Sequence, residues 1–335
     1  PMSWRGTRLR RLAAACTALQ QLVSMDTTLS STSPWNDLGN EDYCDDLGDF
    51  FVFCTTVNGL RMPQEITKEV NVDFTGDLPA SIGDLGPQLE ELELGQGTIT
   101  GAVPDEIRLL TGLTTLSLIS NQITSIPTTI GNLVNLESLD LSSNQLTSVP
   151  ASIKNLVNLE NLYLYLNSLQ TVPSEIRELT SLSGLHLSDN QITGALPDEI
   201  GQLTGLIHLD LDRNQITSVP TSIGNLVNLK NLQLVRNQIT SIPTTIGDLA
   251  KLEYLYLDEN SITTLPTEFG QLNLEVFMID NNQLTSVPDS FRTFNPTSVC
   301  KMDGNSGFSC ANIGSSSSCC TTQNCGDTST CYAPP

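Results

Sequence analysis

Leucines alternate with other residues in a pattern that returns throughout the middle of the chain. The pattern LxxLxLxxNxL is followed by a proline in each copy, and the copies recur every 22 to 24 residues. Within it, the segment LxL has the two-residue period of a strand, with the leucines on the inner side. A unit this short cannot bury its own leucines, so the repeats must stack and form a parallel sheet. Full units begin at Leu89, Leu113, Leu136, Leu159, Leu182, Leu206, Leu229, Leu252 and Leu274.

The second half of each unit reads xIPxxIGxL, as in the segment that contains Pro127. A proline cannot donate a backbone hydrogen bond, and it suits an extended segment or a short helical turn. We therefore expect this half to lie on the side opposite the sheet, with its isoleucine and leucine as the second wall of the core.

An asparagine stands at the ninth position of most units. Its regular recurrence favours a structural role, because a buried amide can pair with backbone groups that are left unpaired where each strand turns. The asparagines in question are Asn121, Asn144, Asn167, Asn190, Asn214, Asn237, Asn260 and Asn282.

On these residues, the units resemble leucine-rich repeats. Most copies resemble the 23-residue LPxxIGxL type, and two, ITGAVPDEI and ITGALPDEI, resemble the 24-residue plant extracellular type. The stretch ALQQLVSMDTTLSSTSPWN, followed by Cys44, Phe51 and Cys54, is similar to the helix, tryptophan and cysteine pair that cap plant-type extracellular repeats. The first strand that usually follows the second cysteine is blurred in NGLRMPQEITKEVNV.

The resemblance implies an α/β solenoid: a curved, right-handed coil with one parallel concave sheet and disulfide-stabilised caps at both ends. We expect an N-terminal cap over residues 1–69 and a Cys-rich C-terminal cap over residues 295–335. The repeats between them, residues 70–294, comprise about nine full units and one degenerate unit, VDFTGDLPASIGDL.

All nine cysteines lie outside the full repeats, which is typical of disulfide-linked caps in an oxidising compartment. The tail has little apolar mass, so cross-links must hold it together, although the pairing of its six cysteines stays open. A metal site is disfavoured there because no histidine accompanies the thiols. We expect disulfides among Cys44, Cys54, Cys300, Cys310, Cys319, Cys320, Cys325 and Cys331.

One cysteine is left over, and Cys16 is the candidate. It shares one face of a predicted helix with Leu12, Leu19 and Val23, which suits a buried free thiol. An intermolecular disulfide is the alternative.

A net charge of −22 narrows the range of partners. It disfavours nucleic acid and anionic membranes and favours cationic or neutral partners. No apolar run reaches about 18 residues, so we expect no membrane-spanning segment. We predict an extracellular protein, secreted or at the cell surface. The absence of an N-x-Ser/Thr sequon leaves a non-glycosylating compartment open.

The concave face changes character along the chain. Early units carry small, mostly uncharged residues such as Thr115 and Ser117, whereas later units carry tyrosines, histidines and carboxylates. Tyrosines offer a large contact area and a hydroxyl, and they are enriched in binding hot spots. We predict ligand binding by Tyr163, Tyr165, His186, Asp189, His208, Asp210, Asp212, Arg213, Arg236, Tyr254, Tyr256 and Asp258.

Catalysis is a weaker interpretation of the same residues. His186 and His208 on adjacent strands, with aspartates nearby, supply acid, base and metal-ligand groups. However, an open sheet offers no water-excluding pocket, and no GxSxG or HExxH motif occurs. Calcium ligation would need aspartates from several strands to converge. We predict no enzyme activity, no cofactor and no metal.

The frequent threonines and asparagines raise the alternative of an ice-binding surface. The threonines fall in the ITS and TTI segments, which we expect to be turns, and this disfavours a flat array on strands.

The sequence therefore predicts a non-enzymatic recognition module whose concave face binds a protein, peptide or carbohydrate. A structural subunit of an extracellular assembly, which would use self-association, is one alternative. An inhibitor of a secreted enzyme is the other, because fold resemblance alone cannot select the target.

Overall fold

The computed structural model describes residues 50–57, 60–68, 75–292 and 299–305. The predicted helix around Cys16 lies outside these residues, as do all the cysteines except Cys54 and Cys300. Cys300 is disulfide-bonded. The composition of the two caps and the other disulfides therefore stay predictions.

The chain divides into two compact units, Pro1–Ser168 and Leu169–Pro335. The strands of the first unit are β1 (Phe50–Val57), β2 (Leu60–Lys68), β3 (Thr75–Asp77), β4 (Glu91–Glu93), β5 (Thr98–Ala102), β6 (Thr115–Ser117), β7 (Gln122–Ser125), β8 (Ser138–Asp140) and β9 (Asn161–Tyr163).

The main sheet of the first unit has the order β1-β2-β4-β6-β8-β9. It opens with an antiparallel hairpin, in which Phe50 lies opposite Lys68, and continues with parallel strands. The repeat pattern did not predict this hairpin, which lies in the stretch where the first strand of the family is blurred.

The second unit also has parallel strands, and its main sheet has the order β10-β12-β14-β15-β16-β17. Its strands are β10 (Gly184–His186), β11 (Thr193–Ala195), β12 (His208–Asp210), β13 (Gln215–Ser218), β14 (Asn231–Gln233), β15 (Tyr254–Tyr256), β16 (Val276–Met278) and β17 (Val299–Lys301).

The register of the parallel strands places equivalent residues of successive repeats side by side. In the first unit Leu116 pairs with Leu139, and in the second Leu209 pairs with Leu232. Each repeat position therefore forms a column of side chains about 4.8 Å apart. The predicted stack of one strand per repeat is confirmed.

The leucines and isoleucines of the pattern form the core, as predicted. Leu116 and Leu209 are each only 1% exposed. Toward the end of the second unit the core becomes aromatic, since the rings of Phe269, Phe277 and Phe291 contact one another with centroids 4.9 to 6.0 Å apart.

Short 3₁₀ helices cover the other side of the core, and each of those over residues 80–271 follows a proline in extended conformation. At Pro104 the φ and ψ angles are −69° and 151°, and its carbonyl accepts the N–H of Ile107 at 3.1 Å. The predicted helical turn is confirmed. The helices are Ala80–Leu85, Asp105–Leu109, Thr128–Asn132, Ala151–Asn155, Ser174–Glu178, Asp198–Gln202, Thr221–Asn225, Thr244–Asp248, Thr267–Gln271 and Asp289–Arg292.

Glycine in these helices lets successive repeats approach closely. A Cβ atom at Gly131 would lie 2.6 Å from the carbonyl oxygen of Ser152 in the next helix. Since that neighbour is backbone, it cannot move aside cheaply, which explains the glycine of the IGxL segment.

The asparagine ladder is confirmed as a structural feature. Asn237 accepts the N–H of Ile216 at 3.0 Å and donates to the carbonyls of Leu211 and Leu234 at 3.0 and 3.2 Å. The same contacts recur at Asn144 in the first unit. Asn305, which the sequence pattern did not identify, extends the ladder by one repeat beyond residue 294.

The expectation that the ITS segments are turns is wrong for two of them. Residues 122–125 and 215–218 form strands β7 and β13, which belong to small parallel sheets, β3-β5-β7 and β11-β13. The chain stays extended after the asparagine corner because its backbone bonds to the preceding repeat. Gln145, for example, donates its N–H to the carbonyl of Ile123 at 2.9 Å.

Candidate binding face

The side chains at the third, fifth, seventh and eighth positions of each repeat do not belong to the leucine core. We call them the strand face, and each unit has its own. The third and fifth positions lie at the two ends of each three-residue strand, and the seventh and eighth lie where the chain turns toward the ladder asparagine.

Over residues 115–143 the strand face of the first unit carries mostly small side chains, whereas its last repeat carries Tyr163, Tyr165 and Leu166. The leucine is 50% exposed. Tyr165 is partly buried, and this burial raises the pKa of its hydroxyl, with the carboxylate of Asp140 adding to the shift. Neighbouring Ser142 is fully buried. The two predicted tyrosines thus share one repeat at the end of the first unit.

In the second unit the two histidines occupy neighbouring strands but different columns. His186 lies opposite Asp210, whereas His208 lies opposite Gly184 on one side and Asn231 on the other. The histidines are therefore placed diagonally and not directly side by side. His208 is exposed and His186 is half-buried.

The aspartates of the second unit bind backbone as well as facing outward. At the seventh position, Asp212 accepts the N–H of Val235 at 2.6 Å, and Asp258 accepts the N–H of Asp280 at 2.8 Å. Asp210 accepts the N–H of Asp212 at 3.0 Å. Each of these predicted ligand-binding carboxylates thus uses one oxygen to accept a hydrogen bond from a backbone N–H group near the turn that follows the strand.

Burial makes three carboxyl groups of this face weaker acids than usual. Burial raises the pKa of Asp212 to about 7. The hydrogen bond from the N–H of Val235 lowers this pKa, whereas the charges of Asp210 and Asp258 raise it further. Burial raises the pKa of Asp280 to about 6, and it also raises that of Asp258. Removal from water disfavours a charge that has no close cation to offset it.

Two tyrosines stand among these carboxylates. Tyr254 donates its hydroxyl proton to Glu275 at 2.7 Å, and this hydrogen bond is the main cause that raises its pKa. Burial raises the pKa of Tyr256, and the charges of Asp258 and Asp212 raise it further. The phenol of Tyr256 therefore lies in the negative field of aspartates from two different repeats.

The predicted basic residues Arg213 and Arg236 lie at the eighth position, where the backbone is left-handed, with φ of 52° and 55°. Each forms an ion pair with a neighbouring repeat: Arg213 with Asp189 at 3.4 Å, and Arg236 with Glu259 at 2.8 Å. The pairs are exposed, so each contributes little to stability, but they offset the charge of both arginines.

The structure thus gathers His186, Asp189, His208 and the later predicted residues on one strand face, and Tyr163 and Tyr165 on the other. Among the described residues, no group of three or more His, Cys, Asp or Glu side chains could hold a metal ion. Asp280, Glu259 and Glu275 were not predicted as site residues. The recurrence of aspartate at the seventh position was a usable signal for Asp280, whereas the contact of Tyr254 with Glu275 needed the register.

Comparison with protein-family models gives one match, to the leucine rich repeat. It covers residues 87–146, 135–192, 185–239 and 227–284, which together span more than half of the chain. Curated protein sequences gave no match.

Among solved structures, two plant receptors resemble the chain. The LRR ectodomain of the membrane receptor kinase GASSHO1/SCHENGEN3 from Arabidopsis thaliana, in complex with CASPARIAN STRIP INTEGRITY FACTOR 2, is 35% identical with a TM-score of 0.64. The match covers 74% of this chain and 30% of that one. The plant peptide hormone receptor RGFR1, in complex with RGF2, is 31% identical with a TM-score of 0.63, and the match covers 76% and 44%. This chain therefore spans less than half of either receptor chain.

A plant ice-binding protein is similar over nearly its whole length. It is 24% identical with a TM-score of 0.65, and the match covers 87% of this chain and 96% of that one. At this identity the likeness shows the fold alone. In the part of the chain that the structure describes, none of the helices is long and apolar enough to cross a membrane.

Proposed function

The chain belongs to the leucine-rich repeat family, and from this premise we propose that it is a non-enzymatic recognition module that binds a peptide or protein. The proposed site is the strand face of the second unit, and Tyr163 and Tyr165 on the strand face of the first unit are a separate candidate site.

One observation carries the proposal: large and charged side chains concentrate on a regular sheet. The register aligns Asp210, Gln233 and Tyr256 in one column, and His208, Asn231 and Tyr254 in the next. Backbone pairing holds the strands of this face in place, so little conformational entropy would be lost on binding. Tyrosine is among the residues that most often dominate binding energy.

The receptor structures support a peptide or protein partner. RGFR1 and the GASSHO1/SCHENGEN3 ectodomain were both solved in complex with a partner, and both share about a third of their aligned residues with this chain. Such likeness raises the expectation of recognition, but it cannot select the ligand.

An extracellular location fits the same picture. The neighbours include a receptor ectodomain, and Cys300 is disulfide-bonded. Disulfides form and persist in oxidising compartments. We propose a secreted or cell-surface protein with disulfide-linked caps.

Affinity capture from the native source would test the binding site. The bait is the intact chain beside two matched variants, Tyr254→Ala/Tyr256→Ala in the second unit and Tyr163→Ala/Tyr165→Ala in the first. We expect a partner that the intact chain retains and that the second-unit variant loses, since truncating an anchor tyrosine costs more than about 1 kcal/mol.

The pattern of loss identifies the face. Loss with only the first-unit variant would move the site to Tyr163 and Tyr165. Retention by both variants would contradict recognition through either strand face. Capture of nothing but copies of the chain itself would favour the alternative role, a subunit of an extracellular assembly. A captured secreted enzyme whose activity falls would favour the inhibitor role.

A further inference from the structure

In the seventh-position column of the second unit, one valine interrupts a run of aspartates. Asp212, Val235, Asp258 and Asp280 follow one another on successive repeats. The three aspartates all have an oxygen bonded to the next repeat: Asp280 accepts the N–H of Asp303 at 2.7 Å. Val235 has no such group, so an apolar side chain interrupts a row of carboxylates.

Val235 is half-buried and lies between two carboxylates. Two strand spacings separate Asp212 from Asp258, which places them roughly 10 Å apart with the valine midway. Tyr256 lies in the same repeat as Asp258, and the charges of both aspartates raise the pKa of its phenol. The result is an apolar floor with a negative group on each side and an aromatic ring beside it.

The basic residues of the strand face offset the charges of this row only in part. The two arginines of the face form ion pairs with Asp189 and Glu259 at its edge. Among the ion pairs of the described residues, none involves Asp212, Asp258 or Asp280. Arg213 lowers the pKa of Asp212, and Lys301 lowers those of Asp258 and Asp280, but each of these influences is smaller than that of burial.

We propose that this face takes a cationic, extended segment of a partner polypeptide, with the stem of one arginine or lysine on Val235 and its charged head between Asp212 and Asp258. The inference rests on the proposed function, because it names the partner chemistry of the same face. A second basic side chain of the segment would meet Asp280.

The physical reason lies in the shape and charge of basic side chains. Arginine and lysine carry an apolar stem and a cationic head, which match an apolar floor flanked by carboxylates. Tyr256 adds an aromatic ring on which a guanidinium can stack. A neutral partner, such as a carbohydrate, would remove the carboxylates further from water without supplying a charge, which is costly.

The test uses two synthetic ten-residue peptides in which serine alternates with arginine or with citrulline. Citrulline keeps the shape of arginine but has no charge. Binding of each to the full chain is measured by calorimetry at about physiological salt, where long-range attraction is screened beyond about 8 Å. We expect the arginine peptide to bind at least about tenfold more tightly than the citrulline peptide.

Matched variants locate the site. Measured above pH 7, where Asp212 is mostly charged, Asp212→Asn/Asp258→Asn removes two charges. It keeps the side-chain oxygens that accept the N–H groups of Val235 and Asp280, so the fold should persist. It should weaken the arginine peptide about tenfold and leave the citrulline peptide unchanged. The control Asp198→Asn/Asp248→Asn changes the net charge equally on the exposed 3₁₀ helices and should alter neither by more than about twofold.

Equal weakening by both variants would reduce the effect to net charge and overturn the proposal. So would equal binding of the two peptides, or no binding of either. The proposed function fails separately: it is lost if a native partner stays bound to the Tyr254→Ala/Tyr256→Ala variant, whatever the peptides do.

Discussion

The two units share one backbone plan, but their strand faces differ most at the seventh position. The first unit has Ile119, Ser142 and Tyr165 there, whereas the second has Asp212, Asp258 and Asp280 among its residues. Ser142 is fully buried, while the three aspartates are half-buried with raised pKa values. At the seventh position the same fold thus carries uncharged residues in one unit and a row of carboxylates in the other.

The difference teaches how one structural requirement can be met in two ways. An N–H group next to the corner needs an acceptor. In the first unit the N–H of Ser142 uses Asp140, at the fifth position of the same repeat, at 2.9 Å. In the second, the N–H of Asp212 uses Asp210 in the same way, but the N–H of Val235 uses Asp212, from the preceding repeat. A carboxylate at the seventh position can therefore serve the fold and face a partner at once.

The largest expected effect tests whether the two units are equivalent beneath their faces. Asn144→Ala and Asn237→Ala each remove four hydrogen bonds of a buried side chain and leave buried backbone groups unpaired. We expect each to lower the free energy of unfolding by about 3 kcal/mol, measured by urea denaturation.

The exposed neighbours Gln145 and Gln238 are the controls. Their replacement by alanine should change the free energy of unfolding by less than about 0.5 kcal/mol. A difference of more than about 1.5 kcal/mol between the losses of unfolding free energy in the two asparagine variants would contradict this prediction. It would mean that the ladders of the two units are not equivalent, so that their strand faces do not stand on the same backbone framework.

The next effect is the pH dependence that the second unit should show. The pKa of Asp212 is about 7 and that of Asp280 about 6 in the folded chain, above their ordinary value of 3.8. Between these values and about 4, the folded chain binds protons that the unfolded chain does not. Stability should therefore be greatest at the acid end and fall as the pH rises through 6 and 7.

Urea midpoints at pH 5, 6, 7 and 8 would measure this slope. The variant Asp212→Asn/Asp280→Asn keeps the acceptor oxygens and cannot titrate, so its midpoint should vary less over the same range. The first-unit variant Asp140→Asn is the matched control and should keep the slope of the intact chain. A double variant that still lost stability as steeply would show that other groups cause the dependence.

The smallest expected effect concerns the eighth position, where the two units have different residues but the same left-handed backbone. Arg213→Ser and Arg236→Ser give the second unit the residue that the first unit has at Ser120 and Ser143, all with φ between 52° and 56°. We expect each to lower the free energy of unfolding by less than about 0.5 kcal/mol, because exposed ion pairs contribute little.

The same urea measurement in higher salt checks the cause. The difference between each serine variant and the intact chain should shrink, because salt screens exposed charges. A loss above about 1 kcal/mol, or one that persists in salt, would mean that the arginines hold the corner by more than their ion pairs.

The sequence predicted the repeat architecture well because its signal is local and repeated. Each leucine, the proline and the ladder asparagine recur at fixed positions, and their roles follow from the period. It missed Asn305 because Cys300 and Met302 stand where leucines do elsewhere. It missed the β1–β2 hairpin because that segment does not follow the repeat.

The candidate site was predictable in composition but not in contacts. The clustering of tyrosine and aspartate could be seen from repeat positions alone. That Asp212 accepts a backbone N–H, that Arg236 is paired with Glu259, and that the histidines lie diagonally all depend on which atoms of neighbouring repeats meet. The predicted binding roles themselves stay proposals.

The sequence by itself therefore determined the stacking of strands, the leucine core and the asparagine ladder, because hydrophobic period and turn chemistry act within one repeat. Only the tertiary structure decided the chemistry of the strand face. The acidity of Asp212 and the negative surroundings of Tyr256 arise between repeats more than 20 residues apart in the chain, where register and burial set distance and solvation.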